Sequence, residues 1–341
     1  MSEAEVVAAI LWLALTAYAV LAGADFGGGV WELLATGPRA REQRRAVAEA
    51  MGPVWEANHV WLIFMIVGLF TAFPRAFGIV SLALYVPFTI ALIGIVLRGA
   101  AFAFRAHGRE AVGEVSAWGV AFGAASVVAP FFLATAVAAV ASGSIRVAGD
   151  RLISDYTAGW TTPFALVLGL LAVAMCAYLA ATYLMVETEG TPLEADFRRR
   201  AIAAGLVSGV LALGALFVAG QSGRYLVSAL LGRGFPLLAV ALINGPIALA
   251  AVWFSKPRIA RFAVAAQVAF VLWAWIVGLW GYLIYPDVTV NEASAPSSTL
   301  TPLLVVIGVG MVFLLPSLWL LFRVFKSRNP AVALARFGQD K

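Results

Sequence analysis

Runs of about 20 apolar residues, each long enough to carry a helix across a bilayer, dominate this chain. Nine occur, at about 6–34, 52–73, 77–97, 116–141, 162–186, 201–220, 236–254, 260–285 and 300–322. Such a sequence folds as an all-α integral membrane protein, because in hydrocarbon a helix satisfies its own backbone hydrogen bonds. Of the 341 residues only 12% are charged, against about 25% in an ordinary soluble domain. Pro87, Pro130, Pro246 and Pro316 interrupt four of the runs, which spans tolerate where neighbouring helices satisfy the freed backbone groups.

Positive charge gives the expected orientation. With nine spans and the N-terminus outside, only Arg75, Arg146, Arg151, Arg224 and Arg233 of the 23 Lys and Arg fall on the outer side. The rest fall inside, as cytoplasmic loops require, so the C-terminus is expected in the cytoplasm. The same loop arginines account for the formal net charge of +5. No basic run carries interleaved aromatics, so no nucleic acid is expected as a partner. Cys176, the one cysteine, lies inside an apolar run, which excludes a disulfide framework and a Cys-based metal site. Glu3 and Glu5 precede the first run and no basic residue does, so that segment is expected to be retained and not cleaved as a signal peptide.

A weak internal echo suggests the plan of the fold. "TAYAVLAGADFGGG" and "RRAVAEAMG" return, at similar separations, as "CAYLAATYLMVETEG" and "RRRAIAAG". Two four-helix bundles are expected, about 6–141 and 162–285, followed by one peripheral helix at about 300–322. Ala-rich helices also resemble one another without ancestry, and that reading stays open. Nothing marks a linker, so residues 1–341 are read as a single membrane domain.

Three carboxylates fall within these runs: Asp25, Glu32 and Glu56. A charge there costs at least a few kcal/mol, so such residues face the bundle interior and mark proton or ion paths. At about 1.5 Å per residue, Asp25 sits on the order of 13 Å above the inner end of its helix and Glu56 about 9 Å above the same surface. The two are therefore expected at a similar depth in the cytoplasmic half. Asp25 and Glu32 share a helical face, and so do Glu56 and His59. A ladder of titratable groups rising from the cytoplasm is what proton uptake needs. Two competing readings remain open. In one, Glu32 is a polar helix end that snorkels to water. Arg98, expected to close the third helix on the same side, could form a structural salt bridge with one of the acids.

Other chemistries fit less well. Glu56-x-x-His59 is half of a di-iron carboxylate motif, but a second Glu-x-x-His is missing. His59 is the one histidine within a run, so the chain could ligate one haem at most. Gly27, Gly28 and Gly29 follow no strand and fit no phosphate loop; close helix packing is their expected role.

Two stretches carry a family resemblance. "LAGADFGGGVWEL" (22–34) and "GPVWEANHVWLI" (52–63) resemble subunit II of cytochrome bd-type quinol oxidases. Trp55, Glu56, Asn58, Val60, Trp61 and Leu62 match that family's run at the start of helix 2. "LFTAFPRAF" (69–77) and "LRGAAFAFR" (97–105) continue the match. The resemblance implies a bacterial or archaeal plasma-membrane protein and a heterodimer with a haem-bearing subunit I. The pair would oxidise quinol and reduce dioxygen to water, with haem b and haem d in subunit I. This chain would then be the haem-poor partner, with no metal of its own. It implies a proton path through Asp25 and Glu56, with Glu32 and His59 as further candidates and Trp55, Asn58 and Arg98 as polar support. A structural quinone, lipid and a small single-span accessory subunit are further partners of this reading. Many relatives carry an acid where this sequence has Ala103, so proton uptake would differ here, through Glu32.

Two other functions fit the residues alone. A proton-coupled secondary transporter would explain the echo, the broken helices and the buried acids, with "LINGPIALA" (243–251) as an unwound segment. A purely structural membrane partner would use Asp25 and Glu56 only to hold helices together.

Overall fold

The computed structural model describes residues 1–51, 55–107, 117–149, 151–157, 159–220 and 222–325; the side chains of 51, 55–57, 105–107 and 321–325 fall outside that description. The chain is helical almost throughout. In order come α1 (Glu3–Leu33), α2 (Ala40–Met51), α3 (Trp55–Ala72), α4 (Pro74–Ala83), α5 (Tyr85–His107) and α6 (Ala117–Ser142). A two-stranded hairpin, β1 (Val147–Ala148) and β2 (Arg151–Leu152), leads to α7 (Pro163–Glu187), α8 (Pro192–Val218), α9 (Arg224–Leu231), α10 (Phe235–Trp253) and α11 (Pro257–Gly278). A second hairpin, β3 (Tyr282–Ile284) and β4 (Val288–Thr289), precedes α12 (Val290–Ala293) and α13 (Ser297–Phe325).

Local chemistry starts these helices where they start. Ser2 and Glu5 form a reciprocal capping box at the head of α1. Proline at the first helical position opens α7, α8 and α11, where its missing N–H costs nothing. Thr162 caps α7 by accepting from the Ala165 N–H.

Helices α1 and α7 form the centre. The first packs on α3, α6 and α7; the second packs on α1, α6, α8 and α11. Helix α5 pairs with α6, and α10 with α11. Helix α13 touches α1 and α3 and turns Val305, Val306, Val309, Val312 and Phe313 outward.

Among the described residues, eight helices are long and apolar enough to span a membrane. A ninth is obtained only if α3 and α4, bent by 118° at Phe73, count as one span. The third apolar run, expected at 77–97, is thereby redrawn. Its first part is the short α4, which Pro74 starts in a new direction, and the span itself is α5. Arg98 consequently lies inside a span and does not close it. "LINGPIALA" is not unwound: α10 runs helical through Pro246. The eighth run ends early, at Gly278, and residues up to 285 turn back into β3.

The end of the bundle that holds the N-terminus is stitched by polar contacts. Ser2 Oγ donates to Asn291 Oδ1 (2.9 Å), Thr301 Oγ1 to Glu3 Oε1 (2.8 Å), and the Ala295 N–H to the Ala72 carbonyl (2.8 Å). Asp287, in the β3–β4 turn, accepts from Arg146 Nε (2.8 Å) and from the Val147 N–H (2.8 Å). The Arg146 hydrogen bond holds the Asp287 carboxyl below the usual carboxylate range. A carboxyl more acidic folded than unfolded stabilises above its unfolded value, near pH 4, and that stability is lost as pH falls through the lowered folded value. Amide exchange in β1–β2, corrected for intrinsic rates, is therefore expected to rise on acidification. Asp287→Asn should exchange fast already at neutral pH and lose that acid-side rise; an unchanged profile in the variant would refute the assignment.

Candidate functional site

Asp25 lies three-quarters of the way along α1 and is 1% exposed; Arg98 reaches it from α5 and is 2% exposed. Arg98 Nη1 donates to Asp25 Oδ2 (2.8 Å), and Nη2 donates to the Asp25 carbonyl (3.0 Å). Nη2 also lies 2.7 Å from Oδ1, a charge contact without hydrogen-bond alignment. The remaining arm, Nε, donates to Ser126 Oγ on α6 (2.9 Å), which passes its own hydrogen to the Phe122 carbonyl (2.7 Å). The guanidinium carbon stands 5.0 Å from the Phe26 ring centre and 4.6 Å from that of Phe122. An Arg buried in this way needs both a counter-ion and aromatic faces, and it has both.

The α3 side closes the same core. Asn58 is buried and donates to the Leu21 carbonyl on α1 (3.3 Å). His59 sits edge-to-face between Tyr18 and Phe26, 6.1 Å from each ring centre. Aromatic rings thus flank the imidazole on two sides. Trp61 packs with Tyr18, Ala22, Phe26, Ala129 and Cys176 in one cluster. Trp55 and Glu56 belong to the first turn of α3, but their side chains lie outside the described residues, so the expected match in depth between Glu56 and Asp25 does too. Among the described residues no group of three or more His, Cys, Asp or Glu could hold a metal ion.

Glycine lets α1 approach its neighbours, as its role in packing requires. A Cβ on Gly27 would run into the Cys176 carbonyl of α7, and one on Gly29 into the Ser126 hydroxyl. Trp31 Nε1 adds a hydrogen bond to the Ala177 carbonyl (2.7 Å). Glu32, one face below Asp25, is 4% exposed, so it is not a snorkelling end group. Helix α2 crosses this end of α1 and is pinned there. Arg39 grips Asp196 on α8 with two hydrogen bonds (2.8 and 2.6 Å), and Gln43 bridges Asp196 and Arg200 (3.0 and 2.6 Å).

The site thus brings together Asp25, Arg98, Asn58 and His59, with Glu32 buried on the same helix. The pair ties α1, α5 and α6 together at their meeting point. The sequence did not single out Ser126, Phe26, Phe122 or Tyr18. A serine inside an alanine-rich span is the one signal that could have pointed to the first, and nothing in the linear order joins it to Arg98.

Residues 3–325 match the family model described as "Cytochrome bd terminal oxidase subunit II". A Bacillus subtilis (strain 168) chain named "Putative cytochrome bd menaquinol oxidase subunit II" is 22% identical over 339 residues, 95% of this chain and 96% of that one. The "Cytochrome bd-I ubiquinol oxidase subunit 2" of Escherichia coli (strain K12) is 30% identical over 211 residues, 60% of this chain and 54% of that one. In fold, the chain superposes on a chain of the bd oxidase from Geobacillus thermodenitrificans with TM-score 0.80 at 23% identity, covering 95% of this chain and 99% of that one.

Proposed function

The chain belongs to the cytochrome bd terminal oxidase subunit II family, and from that premise we propose that it serves as the haem-poor half of the oxidase, bracing the haem-bearing subunit I and lending it a proton path from the cytoplasmic side. Membership makes it a subunit of a quinol oxidase complex, an oxidoreductase of electron transport, and a multi-pass protein of the bacterial plasma membrane in complex with subunit I. It also displaces the transporter reading.

One observation carries the proton-path proposal: a fully buried, neutral Asp25–Arg98 pair stands above a second buried acid, Glu32, on the same helix. Protons would enter from the cytoplasm past Glu32 and Glu56. Asp25, held in place by Arg98, would be the next group inward. Haem b and haem d would supply the oxygen chemistry in subunit I, and no redox step is assigned to residues of this chain. A structural quinone, lipid and a small single-span subunit belong to the same proposal. With Ala103 exposed on α5 where many relatives are expected to carry an acid, Glu32 takes the part of the uptake group.

In the assembled complex, Asp25→Asn and Glu56→Gln are each expected to lower quinol-driven oxygen consumption about tenfold or more, on the scale of losing a proton-transfer group. Haem spectra should survive in Glu56→Gln; Asp25→Asn strands the buried Arg98 charge, so its turnover is read per haem in the fraction that assembles. Normal turnover in both variants would remove the proton role. The hydrogen bonds of Arg98 to the Asp25 carboxylate, the Asp25 carbonyl and Ser126 favour one further reading, a purely structural tie between α1, α5 and α6, whose mark would be lost thermal stability with unchanged kinetics.

A further inference from the structure

Three buried polar atoms in the core of the first helices lack a directed hydrogen bond among the described residues: Tyr18 Oη, Trp61 Nε1 and Asp25 Oδ1. Tyr18 is 6% exposed, and it shares the cluster in which Trp61 packs. Tyr18 and Asp25 are seven residues apart on α1, so they face the same way about 10 Å apart along the axis. Ile95 of that cluster lies one turn before Arg98, and Ala129 one turn after Ser126, so the cluster sits directly on the ion pair, toward the N-terminal end of α1. Buried polar groups in native proteins are paired, with protein or with internal water. The hydrogen-bonding capacities also complement one another. Indole donates, the phenol both donates and accepts, and the carboxylate oxygen accepts.

We propose that Tyr18 and Trp61 hold a file of internal waters that continues the proton route from Asp25 toward the N-terminal end of α1. The proposal rests on the proton-path reading above. Each water would accept from Trp61 or Tyr18 and donate toward Asp25 Oδ1 or the next water, within the two to four hydrogen bonds that buried waters make. A proton joining the file at Asp25 displaces one from the far end, and every group returns to its starting state by reorientation. No electron moves. The Tyr18 hydroxyl is the joint of the file, since it alone can both take and give a hydrogen. The His59 ring, edge-on to Tyr18, keeps its aromatic side dry.

The test uses the assembled oxidase and two readouts. Hydroxyl radicals generated from bound water by X-ray pulses should label Tyr18 and Trp61 despite their burial, well above buried Phe197. Tyr18→Phe, which keeps the ring, should lower turnover about tenfold and raise its solvent deuterium isotope effect, with haem spectra and melting temperature unchanged. Tyr178→Phe, which removes a buried hydroxyl from α7 in the other half of the chain, is the control and should leave turnover alone. Trp61→Phe takes the place of Tyr18→Phe if that variant does not assemble. Labelling no higher than Phe197, or normal turnover and isotope effect in Tyr18→Phe, would overturn the proposal. If Asp25→Asn and Glu56→Gln slow turnover while Tyr18→Phe does not, the water file fails and the proton path stands. If none of them does, both fail.

Discussion

Arg98→Met is expected to lose about 3–5 kcal/mol of stability, the cost of stripping one partner from a buried ion pair. The variant should assemble poorly and melt far below the parent. The reason is asymmetry. Arg98 gives Asp25 two direct hydrogen bonds and a charge contact in a core closed to bulk solvent. Without it, a carboxylate that is 1% exposed must stay charged and unpaired or take up a proton. The double variant Asp25→Asn with Arg98→Met removes both charges, and most of the lost stability should return. Melting of the purified complex, parent against both variants, is the measurement. A double variant no better than the single one would mean that Arg98 matters for its packing on Phe26 and Phe122 and not for its charge.

Gly27→Val should be nearly as damaging, by a different route. At Gly27 the α1 backbone comes so close to α7 that any Cβ meets the Cys176 carbonyl and the Ala180 methyl. Helix backbone cannot yield as a side-chain tip can, so the two central helices must separate. Overpacking of this kind costs about 1–3 kcal/mol, and more where backbone must move. Separation would also stretch the Trp31–Ala177 hydrogen bond. Gly78, whose added Cβ would meet nothing, is the matched control. Assembly yield and melting temperature should drop for Gly27→Val and stay level for Gly78→Val; equal behaviour of the two would discredit the close approach.

Much of the fold could be read from the linear order because a bilayer rewards one pattern only. The apolar runs located the spans, and the triple glycine announced the tight α1 packing now seen at Gly27 and Gly29. The third span was misplaced because "LFTAFPRAFGIV" is apolar on both sides of Arg75, and hydropathy does not sense the turn that Phe73 and Pro74 impose. Helix α2 was invisible to span counting: Arg41, Glu42, Arg45 and Glu49 make its exposed face charged, and among the described residues Val47 and Ala50 are its buried apolar contacts. At the site, the acids stood out because charge is rare in this chain. Arg98 stood out for the same reason, as a possible partner of one of the acids without saying which; Ser126 did not. Pairing Asp25 with Arg98 and Ser126 takes three helices brought together in space, and sequence separations of 73 and 28 residues give no local trace of it.

The stitches at Ser2, Glu3 and Ala72 have a consequence for biogenesis. Each is closed by Asn291, Ala295 or Thr301, residues made long after the partners they hold. Helix α1 thus waits for the segment around α12 before its head is secured. Throughout translocation the seam stands open, and a chaperone or the companion subunit arriving early would find the core's edge still unsealed.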